Sequence, residues 1–261
     1  MARRRSKLRW KLLATPFDLE QGRIDLGLTG GIRQGKQRPL RHRLLKHHLP
    51  LGALSVLCAA MLYLTRPYSD VVSRASFATA YPALVLLSAT LLIGPWNLLR
   101  GQPNPVSQDL RRDLGIWAGI LGVLHSVVGQ CVHLRGRPWL YYVYGPGEHR
   151  HSFPLRHDLF GLANFTGAAG VLLLIMLLAT SSDYCLRALG TPRWKQLQRW
   201  NYAVFALTGV HAVGYLLIEK QKASFSATVA GCLVVALGVQ AAGFMQRSKR
   251  AARNRSLEHA D

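Results

Sequence analysis

The sequence predicts an all-α fold: a polytopic membrane protein, built as a six-transmembrane-helix bundle with both termini cytoplasmic. Three observations carry that prediction. Stretches free of Asp, Glu, Lys and Arg occupy residues 49–65, 75–99, 114–134, 159–182, 200–218 and 223–246, and a bilayer span needs about 20 apolar residues. Those six stretches hold 130 of the 261 residues and none of the 45 charged ones, so charge is confined to the connections. With both ends inside, the N-terminal tail, the connections around Arg111 and Arg193 and the C-terminal tail carry 25 of the 33 Lys and Arg, against 8 on the outer side; cytoplasmic segments keep such an excess. The mean hydropathy of +0.11 reflects basic connections diluting the apolar runs. The formal net charge of +21 follows from topology, so it does not imply a nucleic-acid partner.

Residues 1–48 hold 13 basic and 3 acidic residues, with Gly22, Gly27, Gly30, Gly31 and Gly35 and little apolar periodicity. This reads as a mostly disordered, basic cytoplasmic tail, able to contact anionic lipid head groups. A cleavable signal peptide is not expected, because the first apolar run begins only at Leu49. His42, His47 and His48 lie among arginines and read as a solvated basic flank. The first run, of 17 residues, is the shortest. The second contains Pro82, which removes a backbone hydrogen bond and predicts a kink. The third carries His125 and His133, the fifth carries His211, and the sixth leads into a basic tail, 247–261. Cys58, Cys131, Cys185 and Cys232 form no CxxC pair and read as small packing residues.

His125 and His211 each occupy the twelfth position of their run. Runs three and five start from the same face, so eleven residues at 1.5 Å place both imidazoles roughly 16 Å from it. Ionisable side chains at that depth are costly and mark function. A matched pair on co-directional helices suggests one shared ligand, and a b-type haem fits best. Residues three or four apart share a helix face. Gly122 and Gly129 therefore lie beside His125, with Ala118 and Gly115 further along, while Gly214 and Tyr215 stand next to His211. Small residues there give room to a flat macrocycle; the plainer reading is helix–helix contact.

The stretch 111–117, Arg-Arg-Asp-Leu-Gly-Ile-Trp, followed by Leu124-His125, resembles the third-helix pattern of the ferric reductase-like transmembrane family. Thr180-Ser181-Ser182, Leu189-Gly190, Arg193-Trp194, Leu197, Tyr202 and His211 continue that likeness. Within the family it is most like the haem-binding membrane subunits of bacterial periplasmic methionine sulfoxide reductase systems. The resemblance covers about residues 80–245, and makes 49–246 the family's six-helix domain. It implies a multi-pass cytochrome of the bacterial inner membrane, with His125 and His211 as axial ligands of the haem nearer the outer face. The family's second pair of histidines would fall at Arg112 and Gln198; neither is a haem ligand, which argues against an inner haem.

No GxGxxG fingerprint follows a strand pattern, so donor and acceptor are other molecules: a membrane quinol or a bound quinone or flavin (FMN) on one side, and a redox partner on the outer side. The 24 residues 135–158 include Trp139, Tyr141, Tyr142, Tyr144, His149, His151 and His157, with Arg135, Arg137 and Arg156. They read as an interfacial aromatic belt and a partner-docking surface, with an arginine for the haem propionates. His149 and His151 alone are a weak metal pair. His133 reads as a polar cap and is the reserve axial candidate. The chain is thus expected to act as an electron-transfer subunit of an oxidoreductase system. Two other readings compete: a haem-less scaffold or assembly factor that retains the fold, and a transporter relaying protons through its histidines. The absence of Asp, Glu, Lys and Arg from the runs counts against the transporter.

Overall fold

The computed structural model describes residues 43–66, 70–101, 107–134, 136–146, 154–219 and 223–258. The expectations placed on the N-terminal tail, His42, Arg135, His149 and His151 lie outside them. Among the described residues the fold is all-helical. Helix α1 is Leu49–Thr65, entered through a π-helical turn, Leu44–His48, and α2 is Val71–Leu99. Helices α3 and α4 are Ser107–Gly129 and Leu159–Ala179; a 3₁₀ turn, Pro138–Tyr141, and one isolated antiparallel bridge, Val143 to Leu155, lie between them. Helices α5, α6 and α7 are Asp183–Gln198, Asn201–Glu219 and Ala223–Glu258.

Local chemistry sets the helix starts. Asp70 accepts the Ser73 N–H at 2.8 Å before α2, Asp158 that of Gly161 at 2.7 Å before α4, and Ser182 that of Cys185 at 3.1 Å before α5. Each fills one of the orphan donors of a first helical turn. Helix α2 runs through Pro82 and Pro95 without a break. Helix α5 departs from the sequence reading, which left 183–199 as a connection. It is helical but broken at Gly190, where φ is +72°, a conformation that favours glycine, and Pro192 restarts it.

Among the described residues, five helical stretches are long and apolar enough to cross a membrane: Leu44–Thr65, Val71–Leu99, Leu159–Ala179, Asp183–Glu219 and Ala223–Ala252. The chain is an integral multi-pass membrane protein. Helix α3 does not reach that standard, because its first turns carry Asp109, Arg111, Arg112 and Asp113 and it stops at Gly129. The apolar run continues to Leu134 in tight turns: the Tyr141 hydroxyl donates to Gly129 O at 3.0 Å and accepts the His133 N–H at 2.8 Å.

Helix α2 packs most extensively on α3 and also contacts α7 and α1; α4 packs on α6 and α3. Leu91, Ala118, Leu121, Leu177, Val204, Phe205 and Ala236 form the centre of the core. At the bundle's margin, Leu54, Val56, Leu57 and Leu64 of α1 and Val234, Val235 and Leu237 of α7 are exposed, as suits a lipid-facing surface. The Arg66 guanidinium, 3.7 Å from the Phe77 ring centre and 4.1 Å from that of Phe225, ties the end of α1 to α2 and α7.

At the opposite end, the sequence reading of a solvated histidine flank is corrected. Asp113 is fully buried and binds the Arg43 guanidinium, His47 Nδ1 at 2.7 Å and His48 Nε2 at 3.2 Å. Arg112 binds Asp183 at 2.6 Å, and Arg43 approaches the same carboxylate at 3.5 Å. A buried carboxylate needs such partners, and the turn before α1 supplies them.

Removing one member of a buried ion set leaves its partner uncompensated, at roughly 3–5 kcal/mol; Asp113→Ala is therefore expected to lower the thermal midpoint of the detergent-solubilised protein markedly. Asp158 yields a pH-dependent counterpart. Burial raises its carboxyl pKa, but the Arg156 side chain and the Gly161 N–H outweigh this and hold it below the usual carboxylate value. Its contribution is present above the ordinary carboxylate pKa and disappears as pH falls through the lowered one. Asp158→Ala should cost about 1 kcal/mol near neutral pH, and progressively less on acidification, read by thermal unfolding.

Candidate functional site

His125 comes from α3 and His211 from α6. The bundle brings their rings to a centroid separation of 6.0 Å at an interplanar angle of 73°. His125 Nδ1 lies 3.0 Å from Ser76 O on α2, with Ser76 Oγ at 3.4 Å, and His211 Nδ1 lies 2.8 Å from Ala163 O on α4. A carbonyl only accepts, so each Nδ1 carries the proton and each Nε2 keeps its lone pair. Fixing the far nitrogen in this way is the arrangement metal-bound imidazoles adopt.

A cavity of about 550 Å³ surrounds the pair, walled by α2, α3, α4 and α6 with Val229 of α7, within the ordinary range for cofactor pockets of about 300–1,000 Å³. Most of its wall is apolar or small: Ala80, Leu84, Ala118, Gly122, Gly129 and Leu174 among others. The polar lining residues Ser73, Gln130, His133 and Glu219 all belong to the segments at one end of the cavity, where His133 and Glu219 approach each other. Gln130 Nε2 donates to the Tyr142 hydroxyl at 2.9 Å, while its Oε1 is buried without a hydrogen bond.

Gly122, Gly129 and Ala118, expected beside His125, line the cavity. Gly115 and Gly214 do not: a Cβ on Gly115 would meet Thr90 at 3.7 Å, and one on Gly214 would meet Ala163 at 2.8 Å. Both serve helix contact. The sequence reading missed Gly167 on α4, where a Cβ would stand 2.6 Å from His211 Nδ1. The series Asn164, Gly167, Gly170, three apart on one face, was the available signal. His133 is a polar cap: its Nε2 lies 3.4 Å from Glu219 Oε1, and its ring stacks on Tyr215 at 5.9 Å. Burial raises the Tyr141 phenol pKa, keeping the hydroxyl beneath His133 a donor. Arg156 is held by Asp158 at 3.0 Å and by Leu140 O at 3.3 Å. Trp139 is exposed, and the four cysteines are free.

These residues fit a haem. A metal–imidazole bond is about 2.0 Å, and adding the reach to each ring centre puts two rings on one metal about 6.4 Å apart, close to the separation observed. The Nδ1 contacts leave both Nε2 lone pairs available beside the cavity that the two rings line. Among the described residues no three His, Cys, Asp or Glu side chains group to hold a metal ion alone, whereas a macrocycle brings its own equatorial nitrogens.

No family model matches the chain. It is similar to the protein-methionine-sulfoxide reductase heme-binding subunit MsrQ of Yersinia pseudotuberculosis serotype O:1b (strain IP 31758). The two are 32% identical over 134 residues, 51% of this chain and 58% of that protein. The subunit of the same name from Yersinia pestis (strain Pestoides F) is 32% identical over 134 residues, 51% of this chain and 57% of its own length. The chain spans somewhat over half the length of the curated relatives it matches.

Gly167→Ala places a methyl against His211 Nδ1 and should displace the ring. Loss of an outer contact to a metal-bound imidazole costs about 10–100-fold in affinity, so haem retained on purification is expected to fall, whereas Gly231→Ala, with open space around it, should leave it unchanged.

Proposed function

We propose that this chain is a b-type haem cytochrome of the bacterial inner membrane that relays electrons from a membrane quinol or flavin donor to an acceptor or redox partner on the outer side. His125 and His211 would supply the two axial ligands of a single haem. The observation that carries the reading is the pair of imidazoles 6.0 Å apart across one cavity, each with its Nδ1 proton committed to a backbone carbonyl. The similarity to relatives named heme-binding subunits of methionine sulfoxide reductase supports the same cofactor and role.

When bound, the haem supplies reversible one-electron exchange at iron, tuned by its axial ligands and burial. The protein's part is positional. Ser76 and Ala163 fix the imidazole tautomers, the apolar walls keep water from the ring plane, and the polar end around His133 and Gln130 offers partners to the propionates. Two imidazoles held at one iron would favour electron relay over substrate binding there. Arg112, paired with Asp183 at 2.6 Å, and Gln198 stand where an inner pair of ligands would be needed, which supports one haem. Helix α3 is read as the sixth crossing, charged in its first turns and packed against α2 and α4. Both termini are read as cytoplasmic from the distribution of basic residues.

A pyridine haemochrome assay on the purified chain should give about one haem per polypeptide, and the native protein should show the low-spin absorption spectrum of bis-imidazole ligation. His125→Ala and His211→Ala should each abolish that spectrum. Full haem content in either single variant would overturn the pairing, and a colourless wild-type protein would favour a haem-less scaffold or assembly factor.

A further inference from the structure

We propose that His133 and Glu219, at the polar end of the cavity, form a proton-accepting pair coupled to haem reduction, so that arrival of one electron is matched by uptake of one proton. The inference rests on the electron-carrier reading above. His133 Nε2 and Glu219 Oε1 are 3.4 Å apart, with side-chain exposures of 35% and 30%, so the pair lines the cavity while water still reaches it. It also abuts the candidate ligands through one aromatic side chain: His133 stacks on Tyr215 at 5.9 Å and 19°, and Tyr215 lies 5.0 Å from His211.

Other groups facing the pair are already committed. Tyr215 donates to Asn164 Oδ1 at 2.9 Å, Tyr141 donates to Gly129 O, and the Tyr142 hydroxyl meets Gln130. From α2 the cavity receives Ser73, Ser76 and Tyr81, from α4 Asn164, and from α7 Val229. Besides the candidate ligands, the described lining residues that ionise are therefore Tyr81, Tyr215, His133 and Glu219. Negative charge added nearby favours the protonated form of a neighbouring group. The balance is one electron passing from the quinol or reduced-flavin donor to iron and one proton passing from water to the pair, with no covalent bond changed at the metal.

The test is a spectroelectrochemical titration of the purified full chain between about pH 5 and 9, a range that brackets ordinary Glu and His behaviour. The wild-type midpoint should fall as pH rises, approaching a tenfold change in the reduction equilibrium per pH unit, about 59 mV for one electron. Glu219→Gln should flatten that slope, and His133→Gln provides the second variant should the first fold poorly. A pH-independent wild-type midpoint, or an undiminished slope in both variants, would overturn the coupling while leaving the haem reading intact. A wild-type chain without a haem band would instead overturn the electron-carrier reading, and the coupling with it.

Discussion

The organising constraint is that an imidazole within hydrocarbon must give its N–H to something. An unsatisfied polar group there costs several kcal/mol, and Ser76 O and Ala163 O are the acceptors that His125 and His211 find. Because those carbonyls belong to α2 and α4, the tautomer of each histidine reports the packing of a neighbouring helix. Placement of α2 against α3, and of α4 against α6, thus decides which nitrogens face inward. Gly167 belongs to the same requirement, since only a residue without a Cβ lets α4 approach the His211 ring closely enough for its carbonyl to accept.

The two ends of the bundle solve opposite electrostatic problems. Around Asp113, charges from the turn before α1 and the starts of α3 and α5 neutralise one another in a largely buried knot, which fixes three segments together. At the other end the polar groups are fewer, softer and open to the cavity. A cofactor with a hydrophobic body and charged edge suits the second environment.

Much of this was legible in the sequence because helical rise is fixed. The equal depth of His125 and His211 followed from their places in uncharged runs, and the rings do meet. What was not legible depended on contacts between distant segments. The partners of Asp113 come from up to 70 residues away, so His47 and His48 looked like solvated flank. Charges broke the apolar run over 183–199 and concealed α5, whose break at Gly190 has only local cause. Gly167 could not be told from an ordinary packing glycine until His211 had a position. Gly115 and Gly214 looked equally suited to a cofactor and turned out to face helices.

The early end of α3 at Gly129 has a mechanical consequence. Irregular backbone at membrane depth survives only where protein shelters it, and the Tyr141 hydroxyl reinforces the turn bonds that follow the helix, bridging Gly129 O and His133 N. Everywhere else the chamber is framed by continuous helices, whose hydrogen-bond ladders resist local distortion. This corner is held by short turn bonds and by the two bonds of the Tyr141 hydroxyl. It is where the frame can loosen with the least loss of regular helical pairing.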